Sequence, residues 1–215
     1  MRINLGCGQT PTSGWRNYDN SLSLRLSRIP LLPWILRTVR LIDHPQYNFI
    51  KFARTNNIQY GDATNGLPVP DESCEVLYSS HMLEHLDKTE ANKFLDEAFR
   101  LLRPGGVLRI AVPDIRKKIE AYNESGDADE FLDSTHLCVP KPKSLAHRLR
   151  LLVVGLRHHQ WMYDGNSLIR ILEQHGFSRA EITPAGATKI PDHEPLNLRE
   201  RETESVYVEA EKPSS

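Results

Sequence analysis

The sequence predicts an α/β fold with a mostly parallel sheet and a terminal antiparallel strand. Three observations predict it. Short β-rich runs alternate with segments of helical period along most of the chain. Glycine- or aspartate-bearing turns follow the first three of those runs, the pattern of an open sheet that binds a ligand beyond its strand ends. The last two runs, 179–183 and 205–210, have no helix between them and read as an antiparallel pair.

The elements follow in order. Residues 2–5 (RINL) form a first strand, halted by Gly6-Cys7-Gly8, and 15–19 (WRNYD) a second. Only QTPTSG, 9–14, lies between them, too few residues and too rich in Pro and Gly for a full helix. A third strand, 57–60, ends at Gly61-Asp62, and a fourth, 74–78, follows the turn LPVPDES. Asp87 is placed to cap a helix, with Glu90 three residues on as in a capping box. Ala91, Phe94, Leu95, Ala98, Leu101 and Leu102 then recur at helical spacing until Arg103-Pro104-Gly105-Gly106. VLRIAV, 107–112, is a fifth strand. A helix around 114–123, a polar stretch, and a helix over 165–175 ending at Gly176 come next. No internal repeat is found. One domain spanning 1–215 is expected, with insertions at about 20–54 and 136–159.

Composition excludes several classes. Charge is balanced, 27 Lys+Arg against 28 Asp+Glu, so no general nucleic-acid surface is implied. Cys7, Cys74 and Cys138 are dispersed and odd in number, which argues against a disulfide framework or a zinc knuckle and fits a reducing cytoplasm. The amino terminus enters a strand directly without a signal-peptide pattern, and no apolar run reaches the roughly 18–20 residues of a membrane span.

Three turns carry binding chemistry. Gly6-Cys7-Gly8 lets backbone approach a ligand closely. Asp19 ends the second strand, where a carboxylate can accept from a ribose diol, and Asp62-Ala63 ends the third, where it can accept from an exocyclic amine. Each is individually an ordinary turn; the order of the set points to an adenosine ligand.

These residues, INLGCG, GDATNGLPVPDESCEVLYSSHMLEHL, EAFRLLRPGGVLRIAVPD and HHQWMYDGNSLIRILEQHGF, resemble the class I S-adenosylmethionine (SAM)-dependent methyltransferases. The likeness is to small bacterial members found among polysaccharide and cell-envelope genes, and covers about two thirds of the chain. It implies a Rossmann-like class I sheet with a shortened first helix. It also implies SAM contacts at Gly6, Cys7 and Gly8, at Asp19, at Asp62 and Ala63, and at Ser79 and Ser80 with His81 beneath the sulfonium. The implied product is S-adenosylhomocysteine. The implied acceptor is oxygen or nitrogen of a small molecule, sugar or envelope glycan.

The stretch His81-Met82-Leu83-Glu84-His85 also spells the inverted zinc-protease signature. A zinc hydrolase would need both histidines on one helix face and a third ligand. It would leave the GxG, GDA and RPGG contexts unexplained, so no metal is assigned. A non-catalytic SAM-binding regulatory or assembly subunit is the other alternative. His81, beside the expected methyl group, and then His159 are the candidate proton acceptors, since imidazole titrates near neutrality. Asp114 ranks below them. Trp161 and Tyr163 either wall an acceptor pocket or, the reading preferred, pack a helix on the sheet. Cys7 is read as a small turn residue rather than a nucleophile. The two inserted segments mix Leu, Ile and Val with Arg and Lys and hold almost no acids. They suggest a cover for a phosphorylated or lipid-linked acceptor, with peripheral membrane contact, or simply a solvated helical cap.

Overall fold

A computed structural model describes residues 1–21, 24–25, 29, 31–38, 42, 44–138 and 158–214. Most of the second basic-apolar segment, 139–157, lies outside the described residues, as do parts of the first. The sheet has seven strands: β1 (Arg2–Leu5), β2 (Arg16–Asp19), β3 (Gln59–Tyr60), β4 (Cys74–Ser80), β5 (Leu102–Pro113), β6 (Ser178–Thr183) and β7 (Ser205–Glu211). Their spatial order is β3-β2-β1-β4-β5-β7-β6. The first five pair in parallel, while β7 runs antiparallel to β5 and to β6. The helices are α1 (Leu32–Thr38), α2 (His44–Thr55), α3 (Lys88–Leu101), α4 (Ile115–Ser125), α5 (Ala128–Thr135) and α6 (Gly165–Gln174).

Parallel neighbours need a crossover, usually helical. Between β2 and β3 part of the 20–54 segment supplies it, as α2. Between β1 and β2 there is no helix; residues 6–15 alone make the link. Side-chain amides hold that link in place of helical hydrogen bonds. Asn4 donates to the Thr10 carbonyl (3.1 Å) and to Thr12 Oγ1 (3.0 Å), and Asn17 Oδ1 accepts from the Thr12 N–H (2.7 Å).

The two faces of the sheet are covered differently. On one, Leu5, Leu77, Leu108, Ile110 and Val208 pack against Phe94, Leu95 and Leu101 of α3 and Leu168 and Leu172 of α6. Both helices begin where the sequence says. Asp87 accepts from Glu90 N while Glu90 accepts from Asp87 N, and Asp164 and Ser167 form the same box at α6. On the other face, Val76, Tyr78 and Val107 meet Trp15 and the irregular segment 184–204 through Ile190, Leu196 and Leu198. Beneath that segment, Arg109 and Glu209 form a fully buried ion pair at 2.6 Å. The Glu209 carboxylate also accepts from Thr188 Oγ1 and Lys189 N, and Arg109 donates to the Ala187 carbonyl. Polar pairing therefore pins a long connection that has no regular structure of its own.

Two details differ from the sequence reading. Arg103-Pro104-Gly105-Gly106 belongs to β5 rather than to a separate loop, because the strand starts where α3 ends, at Leu102. The polar stretch after α4 contains α5, whose cap Asp127 accepts from the N–H groups of Asp129 and Glu130.

Candidate functional site

The carboxyl ends of β1, β3 and β4 frame a cleft lined by Gly6, Asp62, Ala63, Thr64, Met82 and Leu86, among others, with about 300 Å³ of open space. Its floor depends on glycine. Gly6 has φ +69°, and a Cβ there would lie 2.5 Å from Met82 Cγ. Gly8 has φ +50° and open space where its Cβ would be. The turn is fastened from β2: Gly6 N and Cys7 N donate to the Tyr18 carbonyl, and Gly8 N donates to Asp19 Oδ2 (3.1 Å). Asp19 Oδ1 accepts from Ser21 N (2.8 Å). Asp19 thus braces the glycine turn through Oδ2 and the start of the following segment through Oδ1, and it does not line the cleft.

Asp62 is half-buried at the cleft. Burial favours its neutral form, but hydrogen bonds from Thr64 and Asn65 outweigh this and hold the carboxyl below its ordinary range. The following loop is tied to α3: Leu67 N donates to Glu97 Oε1 and Arg100 to the Val69 carbonyl. Asp62 is therefore a fixed anion, not a mobile surface acid. Ala63 is buried beside it.

The remaining predicted residues stand apart from this cleft. The Cys7 side chain is buried with Leu24, Ala53 and Ile58. Burial, aided by Asp19, pushes its thiol up to about 12, so it stays protonated and is no nucleophile. Ser79 and Ser80 close β4; the Ser79 hydroxyl is buried with no hydrogen-bond partner among the described residues. Asp114 caps α4 by accepting from Arg116 N. Tyr163 is buried in the main core, as the packing reading expected, while Trp161 is exposed and covered by the Lys88 ammonium at 4.0 Å.

The histidines form a second group. His81 has φ +50°, and its ring is held on both sides. Nε2 lies 2.8 Å from Ser205 Oγ, whose own hydroxyl donates to the Glu200 carbonyl; Nδ1 lies 3.3 Å from Arg201 and 3.3 Å from Glu84 Oε1. His85 and Glu84 sit in a 3-10 turn, Leu83–His85, not on an α-helix. The two histidines of the protease signature are therefore not presented from one helix face. Instead His159 completes the group, with Nε2 4.0 Å from Glu84 Oε1, and His136 packs edge-on against it. Burial pushes the His159 pKa below its ordinary value despite the neighbouring Glu84. Gln160 N and Trp161 N donate to the Glu84 carbonyl, which brings the 158–161 segment onto the turn. Sequence reading singled out the histidines and placed Glu84 only within the protease signature; its burial, at 1% exposed, was not legible there. The available signal was HMLEH together with the His158-His159 pair.

Residues 38–110 match the model of a methyltransferase domain. A protein named as a probable S-adenosylmethionine-dependent methyltransferase of Mycolicibacterium smegmatis is 38% identical over 58 residues, 27% of this chain; the chain's match spans only 21% of that protein's length. Among solved structures, a SAM-dependent methyltransferase from Methanosarcina mazei aligns over 100% of this chain and 92% of its own at TM-score 0.51 and 13% identity. Another from Archaeoglobus fulgidus aligns over 98% and 85% at TM-score 0.48 and 16% identity. The fold is the Rossmann-like class I sheet, and residues 38–110 are similar to a methyltransferase domain.

Proposed function

We propose that the protein transfers the methyl group of SAM to an oxygen or nitrogen acceptor on a small molecule, sugar or envelope glycan. The observation that carries this is the cleft at the carboxyl ends of β1 and β3, where Gly6, Asp62 and Ala63 converge in a methyltransferase-type sheet. The residues fit an adenosine ligand. Gly6 keeps the turn low beneath Met82, Gly8 faces open space, and Asp62 is an anion of fixed orientation with one acceptor position left, on Oδ2, for an amine. Bound SAM supplies an electrophilic methyl group on a sulfonium. The chain's part is to hold the acceptor in line with that carbon, at about 3 Å. Asp19 acts on the ribose side through the turn it braces. The acceptor's proton passes to His81, whose Nδ1 lies 3.3 Å from Glu84 Oε1. Titration calorimetry with S-adenosylhomocysteine tests the reading. One-to-one binding is expected, lost in Asp62→Ala; absence of binding to folded wild-type protein overturns it.

A membrane-associated, lipid-linked or phosphorylated acceptor is supported by the first basic-apolar segment. There Leu31, Trp34 and Ile35 are 72%, 60% and 46% exposed beside Arg37, a combination suited to an anionic interface. No helix among the described residues is long and apolar enough to cross a membrane. Flotation with anionic liposomes is expected to carry the protein at low salt and to fail for Trp34→Ala with Leu31→Ala.

A further inference from the structure

We infer that Glu84, His85 and His159 form a binding site for one divalent first-row transition-metal ion. The argument starts from Glu84. It is 1% exposed, and neither carboxylate oxygen has a hydrogen-bond donor among the described residues. A buried carboxylate without donors is strongly disfavoured unless a cation faces it. What faces it is a ring of imidazole nitrogens. His85 Nε2 is 3.9 Å and His159 Nε2 4.0 Å from Glu84 Oε1, and the three ligand atoms lie within 4.8 Å of one another.

The tautomers favour metal over hydrogen bonding. His85 Nδ1 lies 3.0 Å from the His158 carbonyl, which can only accept, so Nδ1 carries the proton. Nε2 of the neutral ring then presents a lone pair to the carboxylate. Lone pair against carboxylate is repulsive, and a cation between them removes the repulsion. A carbonyl bonded to the distal nitrogen is also what orients metal-ligating histidines generally. The observed spacings exceed the roughly 3.3 Å between ligands of a filled tetrahedral site, which is the direction in which mutual repulsion opens an empty one. His81 does not join as a fourth ligand, because Ser205 and Arg201 engage its two nitrogens.

Two imidazoles and one carboxylate suit zinc, manganese or iron rather than calcium or magnesium, and three protein ligands leave coordination positions open. Met82 and Leu86, the neighbours of this turn, line the cleft. An oxygen ligand on the open positions, water or a hydroxyl of the acceptor, would stand at the cleft's edge. That role rests on the methyl-transfer reading; the cation site itself does not.

The test uses untagged, chelator-stripped full-length protein dialysed against Mn²⁺ or Zn²⁺, with bound metal measured by elemental analysis. One ion per chain is expected. Glu84→Gln and His159→Ala should each weaken binding at least about tenfold, since even outer-shell changes do so at metal sites. His175→Ala, whose ring is paired with Asp96 and Asn92, should leave it unchanged. Electron spin echo spectra of bound Mn²⁺ should show two imidazole nitrogens in the wild type and one in His159→Ala. Substoichiometric uptake, or uptake indifferent to these substitutions, overturns the site. Should circular dichroism show Glu84→Gln unfolded, the half-exposed His85→Ala serves instead. Calorimetry with S-adenosylhomocysteine on the same samples separates the two readings. Binding without metal uptake refutes the cation site alone, and metal uptake without binding refutes the methyl-transfer reading alone.

Discussion

Gly6→Ala probes the turn on which the cleft depends. Two separable penalties apply. The first is backbone: at φ +69° an L-residue with a Cβ loses about 1–2 kcal/mol. The second is steric: the new methyl would lie 2.5 Å from Met82 Cγ and 2.7 Å from Met82 Cβ. Met82 is half-buried and can swing its Cγ aside at a further cost of about 1 kcal/mol for a strained rotamer, while the Cβ contact is relieved only by a small backbone shift. A total of about 2–3 kcal/mol lowers Tm by roughly 5–10 °C for a chain of this size. Met82 also lines the cleft, so the same swing should weaken S-adenosylhomocysteine binding. Truncating Met82 isolates the Cγ contact. In the Met82→Ala background that contact is gone while the Cβ contact and the backbone part remain, leaving a coupling of about 1 kcal/mol in a double-mutant cycle. Thermal melts and calorimetry on the four proteins read this directly. A Gly6→Ala protein with unchanged Tm and unchanged affinity would refute both the strained turn and its role as cleft floor.

Three further outcomes are expected. Arg109→Met leaves the Glu209 carboxylate buried without its cation, and chemical denaturation should show a loss of about 3–5 kcal/mol, partly restored by adding Glu209→Gln. Asp164→Ala removes the α6 cap and should destabilise by about 1 kcal/mol at neutral pH. The Ser167 N–H, joined by Arg116, holds the Asp164 carboxyl below its ordinary value. Its folded-state pKa is thus below the unfolded one, and the stability it adds is present above the unfolded pKa and disappears as pH falls through the folded one. The gap between wild type and Asp164→Ala in denaturation midpoints should therefore close in acid. A colorimetric thiol reagent near pH 8 should find one fast cysteine in the native protein, abolished by Cys138→Ser. Cys138 is exposed, whereas burial pushes Cys7 up to about 12 and Cys74 up to about 11.

What the sequence shows and hides divides by range of interaction. The caps at Asp87 and Asp164 are written within four residues, so α3 and α6 are readable from the chain alone. The succession of the first strands along the chain is readable because a glycine or aspartate turn punctuates each of them locally. α5 was passed over because its charged composition resembles a loop; only the Asp127 cap and the Phe131–Leu132 pair mark it, and Leu132 is exposed. Arg109 gives no local sign of burial, since its partner Glu209 is 100 positions away and its remaining acceptors are Thr183 and the carbonyls of Ala187 and Leu198. The histidine group has the same character. HMLEH names the residues, but Glu84 meets His159 only because segment 158–161 folds onto its carbonyl and brings that ring across. A motif in one stretch therefore underdetermined its chemistry. The helix that the protease reading requires would place His81 and His85 together, whereas the 3-10 turn separates them. Ser205 engages the first and the His158 carbonyl orients the second, and the partner that decides the site comes from 75 residues downstream of Glu84.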